Sequence, residues 1–263
     1  MDIIVCVKQV PGSTQVEIDP VTGTMKRDTV AGKLNPYDLF ALETAFTLKE
    51  TYGGTVKTLS MGPNQAAAAL KETLWMGASE GVLLSDRKFG GADVAATSTA
   101  LSLGVGEMGH YDLILCGKQT TDGDTAQVGP ELAERLGIDH AANVTKVVAV
   151  EDGYVTVDID LDTAIERLKI KLPCLLTVDK DLNTPRLPSF IKKKEIEGKE
   201  NIRILSVADI PAADETKLGL KGSPTQVERI FPPEKNTDKE ILNGSAEELA
   251  DSLFGILKDK KFV

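Results

Sequence analysis

The chain has 263 residues, a formal net charge of −10 and 27% charged side chains. That length carries one large domain or a domain with an appendage, and the acidity disfavours nucleic acid as a partner. No apolar run reaches the roughly 20 residues that span a bilayer, and MDIIVCVKQ has no basic segment ahead of an apolar core, so the chain reads as cytoplasmic.

DIIVCVK (2–8) is a short branched apolar run, the pattern of a buried strand. NPYDLFALETAFTLKETYGG follows with Leu39, Leu42, Ala45, Phe46 and Lys49 at helical spacing, Pro36 near its start and Gly53–Gly54 beyond its end. TVKTLSM (55–61) predicts a strand and GPNQAAAALKETLWMGA a helix. GVLLSD (81–86) and YDLILC (111–116) predict two more strands, with ADVAATSTALSLGVGEM as the helix between them. This alternation implies an α/β fold: a Rossmann-like, mostly parallel twisted sheet with helices on both faces and its ligand outside the C-terminal strand ends.

Near residue 140 the rhythm changes. NVTKVVAV and YVTVDID are alternating runs joined by a turn at Asp152–Gly153, an antiparallel hairpin signal. AIERLKIKLP and CLLTVD add two strand-like runs. From Pro185 prolines and lysines multiply and periodicity fades, until SAEELADSLFGILKDK (245–260) closes the chain as an amphipathic helix. Residues 1–188 are therefore expected to form the nucleotide-binding domain, and 189–263 a partner-recognition segment and C-terminal arm.

The thiols Cys6, Cys116 and Cys174 each sit inside an apolar stretch and read as core residues. With only His110 and His140 besides, both read as surface residues, no metal centre is expected.

The most informative loop is CGKQTTDGDTAQVGPELAERLG (116–137), which lacks the spacing of a phosphate-binding P-loop and of GxGxxG. Gly117 permits close backbone approach, and Gly123 is expected at positive φ. Asp124 or Thr125 is expected to cap the next helix, leaving amides from Ala126 to Val128 toward an anion. The same residues also describe an ordinary capped helix. KQVPG, NPYD, SMGPN and GGADVAATS, expected at the same sheet edge, add weight to a nucleotide crevice.

Taken together, VKQVPG, NPYDLFALETA, SMGP, GKQTTDGDTAQVG, LKIKLPCLLT and LNTPRLPSFIKKK resemble, in order and spacing, the beta subunit of an electron transfer flavoprotein. One departure is the turn at Asp162, where Thr163 and Ala164 stand in place of two glycines, with Glu166 and Pro173 retained. The resemblance implies nucleotide contacts at Cys6, at Asn35, Pro36, Tyr37 and Asp38, at Met61, and along Gly117, Lys118, Gln119, Thr120, Thr121, Asp122, Gly123, Asp124, Thr125, Ala126, Gln127 and Val128. Thr97, in the small-residue helix start with Ala95 and Ser98, resembles the electron-bifurcating members. Those members imply FAD in this subunit, NADH as donor, and ferredoxin or flavodoxin beside an acyl-CoA dehydrogenase as acceptors. The alternative within the family is a simple carrier holding AMP here. Either way the resemblance implies an alpha-subunit partner, a docking role for Leu187 and Lys192–Lys194, and no catalytic side chain. A stand-alone adenine-nucleotide-binding regulatory domain is the competing class, and it leaves the hairpin and tail without purpose.

Overall fold

The computed structural model describes residues 1–12, 32–180, 182–228 and 239–263. The first half runs β1 (Asp2–Cys6), β2 (Gln9–Pro11), β3 (Gly32–Leu34), α1 (Pro36–Tyr52), β4 (Thr55–Met61), α2 (Ala67–Met76) and β5 (Glu80–Leu84). It continues through α3 (Val94–Glu107), β6 (Leu113–Gly117) and α4 (Val128–Leu136). Then come β7 (Asp139–Glu151), β8 (Tyr154–Asp160), β9 (Ile165–Lys171), β10 (Cys174–Val178), α5 (Phe190–Ile196), β11 (Ile202–Leu205) and the single turn α6 (Gly219–Gly222).

Nine strands form one sheet in the order β11-β5-β4-β1-β6-β10-β7-β8-β9, parallel from β11 to β7 and antiparallel from β7 to β9. β2 and β3 make a separate antiparallel pair. The long β7 serves both halves: its start pairs with β10 in parallel and its end with β8 in the expected hairpin.

Strands covered on both faces need apolar residues at every position. Ile3 and Val5 of β1 pack with Leu42 and Phe46 of α1 and Leu70 of α2 on one face. Ile4 and Cys6 pack with Leu101 and Val105 of α3 and Leu132 of α4 on the other. Since β1 leads to β4 on one side while β6 lies on its other side, strand order reverses between β1 and β6. A crevice opens there at the C-terminal edge of such sheets.

The region assigned from sequence to the arm is more ordered than its fading periodicity implied. α5 is a short helix capped by Ser189, whose Oγ accepts the Lys192 N–H, and β11 extends the sheet by pairing with β5. The first compact unit runs from Met1 to Val227 and the second from Glu228 to Val263. Within the second, α7 (Ala246–Asp259) opens with a reciprocal cap between Ser245 and Glu248 and exposes Leu253 and Phe254. No helix among the described residues is long and apolar enough to cross a membrane.

Candidate functional site

At the strand-order reversal, three loops are tied together by two buried polar side chains. Asn35 precedes α1 and is fully buried; its amide nitrogen donates to Asp38 Oδ1 at 2.8 Å and to the Gln119 carbonyl at 2.8 Å. Its amide oxygen accepts the Thr121 N–H at 3.3 Å. Asp38, also buried, accepts the Lys8 N–H at 2.7 Å through Oδ2. Burial lifts the Asp38 carboxyl to about 7, against the pull of Asn35 and of the Lys8 and Gly117 N–H groups. These contacts lock the exit of β1, the start of α1 and the loop after β6 into one frame.

Gly117 makes that frame possible. A Cβ there would lie 2.5 Å from Asp38 Oδ1 and 2.6 Å from the Tyr37 carbonyl carbon, so only glycine lets the strand end pass under the first turn of α1. Cys6 and Cys116 face each other across β1 and β6, both buried. A hydrogen bond with Cys6, then burial, pushes the Cys116 thiol well above its ordinary range, so it is no nucleophile at neutral pH. Burial likewise pushes Cys174 up to about 12.

The loop from Thr120 to Gln127 differs from expectation in two respects. Gly123 is not at positive φ; Asp124 (φ 54°) and Ala126 (φ 56°) are the residues in that region. Nor does Asp124 or Thr125 cap α4: the residue before the helix is Gln127, and no side chain caps its first turn. The chain reverses through non-glycine residues, and an uncapped turn leaves backbone N–H groups directed out of the helix. Loop residues 121–127 are exposed. Positive φ at Ala126 next to right-handed Gln127 turns successive N–H groups toward one side, the geometry of an anion concavity.

Two ion pairs flank the loop. Lys8 Nζ donates to both oxygens of Asp122 at 2.8 Å, and Lys118 Nζ donates to Asp179 Oδ2 at 2.8 Å. Burial opposes ionisation of Asp122, yet the hydrogen bond and charge of Lys8 prevail and hold its carboxyl below the usual range. The start of α3 is tied to the last turn of α4: Arg135 donates to Ser98 Oγ at 2.7 Å and to the Ala95 carbonyl at 2.9 Å. Asp93 closes the start of α3 by accepting the Ala96 N–H at 3.0 Å. Thus α4 alone of this pair has an uncapped start.

The structure therefore brings Asn35, Asp38, Gly117, Gln119, Thr121 and Asp122 into direct contact with one another or with Lys8. Pro36 and Tyr37 lie in the first turn of α1, and Cys6 lies under the loop frame through Cys116. Met61 ends β4 at the same sheet edge, and Thr97 lies in the first turn of α3, each half-buried. Lys8 and Asp179, which complete the ion pairs, were not singled out from sequence. Their only signal was position at strand ends.

A second feature lies on the α1 and α2 side of the sheet. Arg186 donates to both oxygens of Glu43 and to Glu50, and its guanidinium stacks 5.0 Å from the Phe46 ring centroid. Beyond this clasp, Leu187, Phe190 and Ile191 are 87%, 70% and 69% exposed. Lys193 Nζ sits 4.5 Å over the half-buried Trp75 ring, while Met76 is core. His110 and His140 are exposed, as expected from sequence.

The family model described as the electron transfer flavoprotein domain matches residues 22–210. The electron transfer flavoprotein subunit beta of Thermoanaerobacterium thermosaccharolyticum is 43% identical over 263 residues, covering all of both chains. The chain belongs to the electron transfer flavoprotein beta-subunit family. The caffeyl-CoA reductase-Etf complex subunit CarD of Acetobacterium woodii is also 43% identical, across the full length of both chains. Protein FixA of Bradyrhizobium diazoefficiens is 41% identical over 96% of this chain and 90% of its own. Membership of a beta-subunit family implies an alpha-subunit partner. The family's most telling stretch in this chain, GKQTTDGDTAQVG, is the loop held by Asn35, Lys8 and the start of α4.

Proposed function

We propose that the chain is the beta subunit of a bifurcating electron transfer flavoprotein whose crevice between β1 and β6 holds FAD. The observation that carries the reading is the uncapped start of α4 beside the Gly117 passage. The N–H groups from Ala126 to Val128 at the uncapped start and a close backbone approach fit the phosphates of an adenine nucleotide without any lysine spent on them. When bound, FAD supplies hydride acceptance from NADH and single-electron delivery along two routes, to the alpha-subunit flavin serving an acyl-CoA dehydrogenase and to ferredoxin or flavodoxin. The side chains contribute binding and orientation. Asn35 and Asp38 fix the loop, the amides at the start of α4 and the hydroxyls of Thr120, Thr121 and Thr125 would hold the phosphates, and Arg135 in the last turn of α4 ties that helix to the start of α3. The relative that names a CoA reductase–Etf complex supports the CoA-linked direction. Leu187 and the neighbouring apolar residues, held out by the Arg186 clasp, form the docking segment for the dehydrogenase.

The deciding experiment is chemical. Denaturing the purified heterodimer and quantifying what is released is expected to yield two FAD per dimer. One FAD and one AMP would replace this reading with the simple carrier, and a colourless complex would leave the regulatory-domain reading.

A further inference from the structure

Charge around the phosphate loop bears on which nucleotide the crevice accepts. Both of its lysines are already neutralised: Lys8 by two contacts to Asp122, Lys118 by Asp179. Further carboxylates crowd them. Asp162 adds negative potential at Lys118, and Asp124 is exposed on the loop itself. The remaining positive potential comes from the start of α4, where aligned peptide dipoles amount to roughly half a charge. A site built this way attracts a modest anion and repels a strong one.

Resting on the nucleotide reading above, we propose that Asp122 and Asp179 set a charge ceiling: the crevice takes adenine nucleotides with about two phosphate charges and rejects those with more. A monophosphate such as AMP and the pyrophosphate diester of FAD each carry about two negative charges near neutral pH, whereas ADP carries about three and ATP about four. One ceiling therefore admits both ligands open to this family site and excludes the free polyphosphates. Asp122 acts through Lys8, which it holds away from the ligand; it is a specificity-determining residue that need not touch the nucleotide.

The test uses the alpha–beta heterodimer, stripped of nucleotide and reloaded from an equimolar mixture of AMP, ADP and ATP without divalent cation, with bound nucleotide measured by chromatography. Each added charge is expected to weaken retention at least about tenfold at low ionic strength, and added salt to narrow the gap. Asp122→Asn frees Lys8 and is expected to raise ATP relative to AMP by about tenfold. Asp122→Glu keeps the pair and restores the original ranking. Asp179→Asn frees Lys118 from the other side and moves the ranking in the same direction, so the test survives if Asp122→Asn folds poorly. Equal retention of AMP and ATP by the wild type, or an unchanged ranking in both Asn variants that still hold AMP, overturns the ceiling. Failure of the wild type to retain either AMP or FAD overturns the nucleotide reading beneath it.

Discussion

Asp38 is a carboxylate used as a fastener, and its burial makes it pH-sensitive. Its ordinary value is 3.8 and burial lifts it to about 7. Between those values the folded chain holds a proton that the unfolded chain has released. Stability therefore falls as pH rises from about 4 to 7 and stays lowered above that. The full shift corresponds to something on the order of 4 kcal/mol. Asp38→Asn is expected to flatten the stability–pH profile across this window in urea melts, while costing stability at pH 5 through the weakened Lys8 contact. Glu43 works in the opposite sense: the Arg186 hydrogen bond lowers its carboxyl, so its contribution is present above its unfolded value of 4.5 and fades as pH drops through the folded one. At Gly123 the expectation of positive φ is replaced by Asp124 and Ala126. Gly123→Ala is expected to leave nucleotide content unchanged. Ala126→Gly relieves a left-handed alanine and is expected to stabilise by on the order of 0.5 kcal/mol, read as a small rise in the urea midpoint. Sequence alone could not distinguish these positions, because a loop's φ values are set by the frame that Asn35 and Gly117 impose on its ends.

Among the elements, the ones easiest to read in the sequence were those with a buried face or a closed turn. β4 occupies the whole of TVKTLSM, and α1 lies between Pro36 and Gly53 as their backbone preferences require. α5 and β11 were not visible. FIKKKEI has no buried residue to give it periodicity, and IRIL is four residues long with an exposed Arg203 on the edge of the sheet. The loop frame was half legible: NPYD and GKQTTDG pointed to one crevice, but nothing in their spacing said that Asn35 and Asp38 face inward to bind loops. Gly117→Ala tests the meeting of α1 with β6. The contacts at 2.5 and 2.6 Å leave no room for a methyl, so a loss of about 2 kcal/mol or more is expected in thermal unfolding, together with loss of bound nucleotide. Arg186→Ala tests the clasp on α1. Removing its half-buried contacts to Glu43 is expected to cost about 1–3 kcal/mol, and limited proteolysis should then cut within residues 182–196.

At the scale of the whole molecule, the two functions proposed for the first unit fall on different parts of it: the nucleotide site at the strand ends, and docking at the exposed apolar segment of Leu187, Phe190 and Ile191. They are expected to separate cleanly. Leu187→Ala should lower electron delivery to the dehydrogenase several-fold at limiting dehydrogenase concentration, while flavin content and NADH-driven flavin reduction stay at wild-type levels; normal delivery at every concentration would remove Leu187 from the interface.

The position of β10 also governs the order in which the chain is completed during synthesis. Cys174–Val178 sits between β6 and β7 and hydrogen-bonds to both, yet it is made after all three antiparallel strands β7 to β9. Until those five residues leave the ribosome, the parallel half from β1 to β6 and the antiparallel half from β7 to β9 have no ladder between them, and two facing edges lie open. β10 is a keystone delivered late. A nascent chain halted before residue 174 should bind hydrophobic-segment chaperones and resist compaction, whereas one released past residue 205, with β11 in place on the far edge, should close in a single step.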